Sequence, residues 1–334
     1  MALRFALLGA GRIGQVHAQA ISSNPNAVLA AVADAFPDSA NTLVVQYGGV
    51  VSTIEEIASM PDIDAVLICT PTNTHADLIE KFARAGKAIF CEKPIDLSVE
   101  RVVACLKVVE ETGAQLMVGF NRRFDPHFMA LKAAIVAGKI GEVEMVNITS
   151  RDPGAPPSEY IKVSGGIFKD MTIHDFDMAR FLLDEEVESV MASGSVLVDP
   201  EIGQLGDYDS ASVILTTKSG KQCSISNSRR ATYGYDQRIE VHGSIGMVAA
   251  QNQREVSIEL ATKDGYTKPP LFDFFMTRYI AAYAAEITAF VDMIANKTAA
   301  IPSGRDGLES LKVAEAALKS VKLERAVKLS EIGC

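Results

Sequence analysis

The sequence has 334 residues, more than one hydrophobic core usually holds, so two domains are expected. With 48% hydrophobic and 22% charged residues the composition is that of a globular protein, and no apolar run approaches the roughly 18–20 residues that span a bilayer. The net charge of −10 disfavours nucleic-acid partners, which bind basic surfaces.

The first 120 residues alternate short apolar strands with helices. Strands are predicted at residues 4–8, 28–33, 65–69, 88–91 and 115–119, with a shorter one near 50–51. Helical patterns lie between them at residues 13–22, 38–47, 54–58, 74–85 and 98–111. Such alternation predicts an α/β domain with a doubly wound parallel sheet that is covered on both faces.

The pattern changes near residues 120–124. A helix at 125–137 and a longer strand at 143–150 precede a helix at 174–183. Alternating residues then predict strands at 187–198, 210–217, 222–228, 238–242 and 256–261, and two helices follow at 279–295 and 308–321. We therefore predict a dinucleotide-binding domain at 1–121 and a second α/β domain at 122–334 with a large, mostly antiparallel open sheet.

The first strand leads into a glycine loop, Gly9-Ala10-Gly11-Arg12-Ile13-Gly14, which opens a helix. A G-x-G-x-x-G in this setting is typical of dinucleotide-binding Rossmann domains, in which the glycines allow a tight turn, approach of the pyrophosphate and close helix–strand packing. Asp34 follows the second strand and would accept hydrogen bonds from the ribose. Residues 35–37 supply no Arg or Lys for a 2′-phosphate, so NAD is predicted rather than NADP. The alternative is a glycine turn that binds nothing.

Ligands of open α/β sheets bind at the carboxyl ends of the strands. Reactive or polar residues follow the predicted strands there: Gly9–Gly14, Asp34, Thr70-Pro71, Glu92-Lys93-Pro94 and Asn121-Arg122-Arg123. We expect one crevice to collect them. Lys93 is the candidate for chemistry, because a cation can stabilise a developing alkoxide. The alternative for Lys93 is a solvated surface charge.

A second cluster, Asp170-Met171-Thr172-Ile173-His174, follows Gly165-Gly166. Thr172 is predicted to cap the next helix, with Asp175 completing a capping box. His174 would lie in the first helical turn, whose positive end favours a neutral ring able to accept a hydroxyl proton. Asp170 would orient that ring. The alternative for His174 is a structural hydrogen bond.

Together these motifs resemble the Gfo/Idh/MocA oxidoreductase family over essentially the whole chain. The resemblance rests on the glycine loop, on Thr70-Pro71-Thr72-Asn73-Thr74-His75, on Glu92-Lys93-Pro94 and on Asp170-x-x-x-His174. It implies a Rossmann domain, an α/β domain whose open sheet mediates oligomerisation, and catalysis by Lys93, Asp170 and His174. The run 170–182 is most similar to the inositol-oxidising branch, although many relatives carry Gly where this chain has Thr172. Oxidation of myo-inositol to scyllo-inosose with NAD is therefore implied.

Binding residues are expected on the same motifs. The predicted cofactor contacts are Gly9, Gly11, Arg12, Ile13, Gly14, Asp34, Thr70, Pro71, Asn73, His75, Glu92 and Lys93. The resemblance implies polyol contacts at Arg123, Asp152, Asp177 and Tyr233 or Tyr235. A polyol requires several hydrogen-bonding side chains, and residues 229–237 are rich in them.

Two other functions stay open. One is an NAD-dependent dehydrogenase of another sugar, polyol or inositol isomer. The other is a non-catalytic NAD-binding regulator, whose simplest sign would be loss of the lysine or the histidine. The family implies a homo-oligomer, a dimer or a tetramer. The net charge and the short apolar runs predict neither nucleic acid nor membrane as a partner.

The five cysteines are Cys69, Cys91, Cys105, Cys223 and Cys334, and their spacing matches no disulfide or metal framework. We expect no bound metal, and buried free thiols at Cys69 and Cys91. The N-terminal apolar run continues directly into the glycine loop, unlike a signal peptide. Both features predict a cytoplasmic protein.

Overall fold

The computed structural model describes residues 2–333, which divide into two compact units. One unit contains residues 2–125, 280–311 and 333, and the other contains residues 126–279 and 312–332. This division differs from a single change after residue 121, because residues 280–311 return to the first unit. Within residues 2–333, no helix is long and apolar enough to cross a membrane.

The first unit is built on a parallel sheet. Its strands in the described part of the chain are β1 (Leu3–Leu8), β2 (Ala27–Ala33), β3 (Val50–Val51), β4 (Ala65–Ile68), β5 (Ala88–Glu92) and β6 (Leu116–Gly119). The helices between them are α1 (Arg12–Ser22), α2 (Pro37–Tyr47), α3 (Ile54–Ser59), α4 (His75–Arg84) and α5 (Val99–Thr112). The strand order β3-β2-β1-β4-β5-β6, with every pairing parallel, confirms the predicted Rossmann topology.

Burial explains why the central strands read as continuous apolar runs. All four residues of β4 are buried, as expected of a strand covered on both faces. The sheet is also covered by residues from much later in the chain, because the helix α12 (Ile280–Asn296) packs on α1. The ring of Phe290 lies 5.8 Å from the ring of Phe5 and 5.7 Å from that of Phe90.

The second unit holds a larger, mixed sheet. The helices and strands from residue 126 onward are α6 (Pro126–Val136), β7 (Val143–Arg151), α7 (Ser158–Ser164), α8 (Gly166–Asp170), α9 (Ile173–Leu183), β8 (Val187–Ser195), α10 (Pro200–Gln204), β9 (Ser210–Thr217), β10 (Gln222–Ser228), β11 (Asp236–Gly243), β12 (Gly246–Ala250), β13 (Leu260–Thr262), β14 (Gly265–Thr267), α11 (Phe275–Arg278), α12 (Ile280–Asn296), α13 (Gly304–Leu323) and β15 (Val327–Lys328). Of these, α12 and the start of α13 belong to the first unit. The strand order is β12-β11-β7-β10-β9-β8-β15, and every pairing except the parallel β7–β10 pair is antiparallel. The predicted mostly antiparallel sheet is confirmed.

One face of this sheet is buried and the other is open. Along β9, Ala211, Val213 and Leu215 are buried, while Ser212 and Ile214 between them are exposed. Helix α9 packs on β7. The alternation of the sequence therefore reports a sheet with one covered face.

The strand predicted at 256–261 is largely wrong. Val256 and Ile258 lie between β12 and β13, in neither strand, and Leu260 begins β13, which pairs only with β14 in a separate hairpin. All three side chains are exposed. Apolar and polar residues do alternate here, but these side chains pack on neither face of the large sheet.

Candidate active site

The glycine loop has the geometry that a dinucleotide requires. Gly9 adopts a φ of 97°, and a Cβ on it would lie 2.5 Å from the carbonyl oxygen of Cys69. A Cβ on Gly14 would lie 2.0 Å from the carbonyl oxygen of Gly9, so helix α1 and strand β1 can approach this closely only without a side chain. Gly11, by contrast, has open space where its Cβ would be. The loop is therefore tight on its protein side and open on the other.

Helix α1 begins immediately after Gly11, which has no side chain to cap the helix, and the first turn of the helix contains no acidic residue. The amides of Arg12, Ile13 and Gly14 are thus at a helix N-terminus, where the backbone N–H groups lack intrahelical acceptors and attract phosphate. These residues fit the pyrophosphate of NAD.

Asp34 directly follows β2 and lies beside this loop. Its Oδ2 accepts a hydrogen bond from the amide of Ala10 at 2.5 Å, and its Oδ1 accepts one from the amide of Phe36 at 2.7 Å. A carboxylate has about four acceptor sites, so both oxygens keep capacity for ribose hydroxyls. The side chain is half-buried and carries the negative charge expected at an NAD ribose.

The turns after β4 and β5 are joined by His75. Its Nδ1 lies 2.8 Å from the carbonyl oxygen of Pro94, and its Nε2 lies 2.7 Å from the carbonyl oxygen of Thr70. Burial lowers the pKa of His75, although the two carbonyl oxygens act in the opposite direction. His75 therefore fixes Thr70-Pro71 relative to the Lys93-Pro94 turn, and its predicted contact with the cofactor stays a prediction, as does that of the exposed Asn73.

Lys93 follows the last residue of β5 and is half-buried. Its neighbour Glu92 points into the protein, where its Oε1 lies 2.6 Å from Nε2 of His17 on α1. The Glu92 carboxylate also lies against β6, since a Cβ on Gly119 would be 3.1 Å from it. The side chain of Glu92 thus anchors the residue before Lys93, and any cofactor contact by Glu92 stays a prediction.

The polar residues after β6 are also buried. Asn121, Arg122 and Arg123 lie in a 3-10 turn, and Nη2 of Arg123 donates to Oδ1 of Asp306 at 2.9 Å. Burial alone would raise the pKa of Asp306, but Arg123 and Ser303 outweigh it and lower the pKa to about 2. Arg123 is therefore held rigidly, and its predicted contact with a polyol is not tested by this ion pair.

In the second unit, Asp170 is the last residue of α8 and His174 lies in the first turn of α9. Oδ1 of Asp170 accepts a hydrogen bond from the Tyr160 hydroxyl at 2.8 Å, and its Oδ2 lies 3.6 Å from Nη2 of Arg229. Both Asp170 and His174 are half-buried. The break between two helices thus presents the predicted base and its orienting carboxylate on one short segment.

The predicted capping box at Thr172 is wrong. The Thr172 backbone is helical and its side chain makes no cap; the hydroxyl donates to Oδ1 of Asn227 at 2.9 Å and lies 3.2 Å from the carbonyl oxygen of Ile167. Asp175 is fully buried, and its Oδ2 accepts from Nδ2 of Asn227 at 2.7 Å. Asn227 on β10 therefore replaces the local cap and ties the start of α9 to the sheet.

The other predicted polyol contacts lie in the second unit. Asp177 is buried one turn after His174 in α9, and Asp152 directly follows β7. Tyr235 is buried, with its ring 6.0 Å from that of Phe274. Asp152, Asp177 and Tyr235 remain predicted contacts.

Tyr233 lies on the open face of the sheet. Its side chain is 51% exposed, and its hydroxyl accepts from Nη1 of Arg151 and donates to Oδ2 of Asp236 at 2.6 Å. Arg151 alternates along β7 with the buried Ser150, so its side chain points away from the face that carries α9. The contact of Tyr233 with a polyol stays a prediction, as does that of Tyr235.

Sequence reasoning missed His17, Asn227 and Arg229 as supports of the site. Each reaches a site motif from a distant part of the chain, so no local spacing marks it. The only available signal was a polar side chain within an otherwise apolar pattern, as for His17 in the buried stripe of α1.

Comparison with known proteins agrees with this arrangement. A family model described as an oxidoreductase family with an NAD-binding Rossmann fold matches residues 3–120, and a Gfo/Idh/MocA C-terminal domain model matches residues 128–249. The inositol 2-dehydrogenase of Rhizobium meliloti (strain 1021) is 68% identical over 330 residues, covering 99% of this chain and 100% of that protein.

Solved structures are similar over the whole chain. A myo-inositol dehydrogenase from Corynebacterium glutamicum ATCC 13032 superposes with a TM-score of 0.95 at 42% identity, covering 98% of this chain and 99% of that one. The scyllo-inositol dehydrogenase of Lactobacillus casei, solved with bound NAD(H) and scyllo-inositol, gives a TM-score of 0.92 at 28% identity, covering 99% and 100%. With a glycine loop shaped for NAD, a lysine at the end of β5 and the α8–α9 segment all present, the chain belongs to the Gfo/Idh/MocA family of NAD-binding oxidoreductases.

Proposed function

We propose that this protein is a cytoplasmic dehydrogenase that oxidises myo-inositol to scyllo-inosose, with NAD as the hydride acceptor. The observation that carries the proposal is the 68% identity, over nearly all of both chains, with a protein named inositol 2-dehydrogenase. Cys334 lies outside the described residues, and the other four cysteines are buried free thiols, as expected of Cys69 and Cys91 and in keeping with a reducing compartment.

The reaction removes a hydride and a proton from one ring carbinol and leaves a ketone. NAD supplies the hydride acceptor when it is bound by the glycine loop and Asp34. His174 takes the hydroxyl proton; its place in the first turn of α9 favours the neutral ring that a base requires. Asp170 holds the orientation of His174 and stabilises the imidazolium that forms.

Lys93 completes the proposed machinery. Its ammonium group stabilises the oxygen as negative charge develops there, and it releases no proton in the step. Its anchored surroundings support this role, because Glu92 is bound to His17 and Pro94 to His75. A fixed cation contributes more to a transition state than a mobile one, since it does not have to reorganise.

The test is to replace Lys93 with Met and to measure turnover and NAD affinity separately. We expect kcat with myo-inositol to fall by about 10²–10³, the usual loss when one stabilising group is removed. The Kd of NAD measured by calorimetry should change little. Lys107→Met, which removes an exposed lysine on α5, is the control. Undiminished turnover in Lys93→Met would refute the role.

A second candidate substrate is another inositol isomer. The observation that favours it is the fold match to a scyllo-inositol dehydrogenase with NAD(H) and scyllo-inositol bound. Initial rates at fixed NAD should be compared for myo-inositol, scyllo-inositol, glucose and xylose. Turnover of glucose without turnover of any inositol would exclude both inositol assignments. NAD binding without turnover of any polyol would instead favour a regulator.

We also infer that the protein is a homo-oligomer, a dimer or a tetramer. The open face of the large sheet exposes four large apolar side chains by 42–52%: Met145, Met191, Ile214 and Met247. Met191 and Ile214 are register partners on β8 and β9, so Met191→Glu with Ile214→Glu places two charges side by side on this face. We expect the mass measured by light scattering to fall to that of the monomer. Val136→Glu changes an exposed apolar residue on α6 and is the control.

A further inference from the structure

The segment that leads to Asp170 is built around a buried aspartate, Asp207. Helix α8 starts at two glycines with positive φ, Gly165 at 83° and Gly166 at 81°. A Cβ on Gly166 would lie 2.6 Å from Oδ1 of Asp207, and the same oxygen accepts a hydrogen bond from the amide of Ile167 at 2.9 Å. The glycine pair therefore lets Asp207 approach the backbone and hold the start of the helix that ends in Asp170.

Arg229 connects this anchor to Asp170 itself. Its side chain is only 1% exposed, and its Nη2 lies 3.6 Å from Oδ2 of Asp207 and 3.6 Å from Oδ2 of Asp170. Its backbone amide donates to the carbonyl oxygen of Asp209 at 2.8 Å, which fixes the start of the side chain. One buried guanidinium thus contacts the carboxylates at both ends of α8. At 3.6 Å these contacts are charge–charge attractions rather than hydrogen bonds.

The charges of Arg229, Asp170 and Asp207 compensate one another. A guanidinium cannot lose its proton in a protein, so a buried one must be compensated by anions. Burial raises the pKa of Asp207; the amides of Ile167 and Tyr208 and the charge of Arg229 lower it, whereas Asp170 raises it further. Asp170 and Asp207 would repel each other without the cation between them. Arg229 therefore holds two like charges near one short helix.

We propose that Arg229, held by Asp207, is a positioning residue that fixes the carboxylate of Asp170 and thereby the orientation and charge state of His174. This inference rests on the proposed function, because it assigns Asp170 and His174 to catalysis. Arg229 contributes no group to the substrate. It acts at the opposite oxygen of Asp170 from the one that accepts the hydrogen bond of Tyr160.

The test uses Arg229→Met, with Arg230→Met as the control. Arg230 is the next residue and also an arginine, but it is exposed and its guanidinium donates to the backbone carbonyls of Leu197 and Val198. We expect Arg229→Met to lower kcat by about 10–100-fold, which is less than the roughly 10²–10⁴-fold that a general base contributes because the base itself is retained, and to leave the Kd of NAD unchanged. Arg229→Lys should retain more of the parent kcat than Arg229→Met. Lysine keeps the positive charge, but its ammonium group lacks the planar fork of donors that can reach both carboxylates.

The readout that separates positioning from folding is the titration of the His174 ring, followed by NMR and assigned with His174→Gln. Removal of the cation next to Asp170 leaves more negative charge near the ring. We expect the midpoint to rise by roughly half to one pH unit in Arg229→Met. If thermal unfolding shows that Arg229→Met does not fold, Arg229→Gln is measured instead, because its amide can still donate a hydrogen bond to a carboxylate while the positive charge is lost.

A His174 midpoint that stays in place, or moves down, in the folded variant overturns the proposal even if kcat falls. This titration requires no turnover. A parent protein that turns over no polyol would refute the proposed function. If the parent is active and the variant has an unshifted His174 midpoint, only the role of Arg229 is refuted.

Discussion

Glu286 is a carboxyl group buried where the fold does not stabilise its charge. It lies on α12 with 0% exposure, and within residues 2–333 neither of its oxygens has a hydrogen-bond partner. Burial raises its pKa well above the usual 4.5, and the negative charge of Glu92 raises it further. Tyr283, one turn earlier on α12, packs its ring 5.4 Å from that of His17, the partner of Glu92. Glu286 therefore stays protonated in the folded protein at pH values at which the unfolded chain has released the proton.

This difference makes stability depend on pH in a definite direction. Below pH 4.5 the carboxyl is protonated in both states and contributes no pH dependence. As pH rises above that value, the unfolded chain gains by ionising and the folded protein does not, so the free energy of unfolding falls by roughly 1.4 kcal/mol per pH unit. The fall continues at this slope for as long as the buried carboxyl stays protonated in the folded protein.

The perturbation is Glu286→Gln, which replaces the carboxyl with an amide of similar shape that is neutral at every pH. The chain has no tryptophan, so urea unfolding should be followed by far-UV circular dichroism at pH 5, 6 and 7. We expect the stability of Glu286→Gln relative to the parent to increase as the pH rises from 5 to 7, with a slope of up to about 1.4 kcal/mol per pH unit. Asp292→Asn, at an exposed carboxylate on the same helix, is the control and should not change the slope. A parallel pH dependence for Glu286→Gln and the parent would refute the reasoning.

Three further predictions concern the first unit. Asp306→Asn should destabilise the protein by about 2 kcal/mol at pH 7; since the folded pKa is lowered from 3.8 to about 2, this difference should disappear as pH falls through that range. Gly14→Ala should lower the Tm, because its Cβ would meet a backbone oxygen at 2.0 Å, whereas Gly11→Ala should keep the Tm and weaken NAD binding measured by calorimetry. Asp34→Ala with Ala35→Arg should shift the kcat/KM ratio from NAD toward NADP.

Each of these has an outcome that contradicts it. The Asp306 argument fails if the stability difference is the same at pH 3 and pH 7 in chemical unfolding. Full NAD affinity in Gly11→Ala would mean that the pyrophosphate does not approach this part of the loop. An unchanged cofactor ratio in the double variant would remove Asp34 from the ribose, with Ala35→Arg alone as the control.

The sequence predicted those features that a single segment determines. The Rossmann strands are short apolar runs because both faces of the sheet are buried, and the glycine loop is recognisable because Gly9 and Gly14 each lie where a Cβ would meet the backbone. The sequence predicted α9, but it did not predict the short helix α8 before it. The hydrogen bonds at the start of α9 were not predicted either: Thr172 was expected to cap its own helix, but Asn227, more than 50 positions later, is within reach of its hydroxyl. The contact between Arg229 and Asp170 could not be predicted for the same reason. Only the folded sheet brings the end of β10 next to α8.

The return of α12 to the first sheet has a consequence for how the protein is made on the ribosome. Strands β1 and β5 emerge early, but Phe290, which packs on Phe5 and Phe90, is synthesised about 200 residues after β5, at roughly 5–20 residues per second. The apolar surface that α12 later buries in the cofactor domain therefore stays exposed for some tens of seconds, and during that interval chaperones can bind it. The nascent chain completes its first domain only after nearly all of the second has been translated.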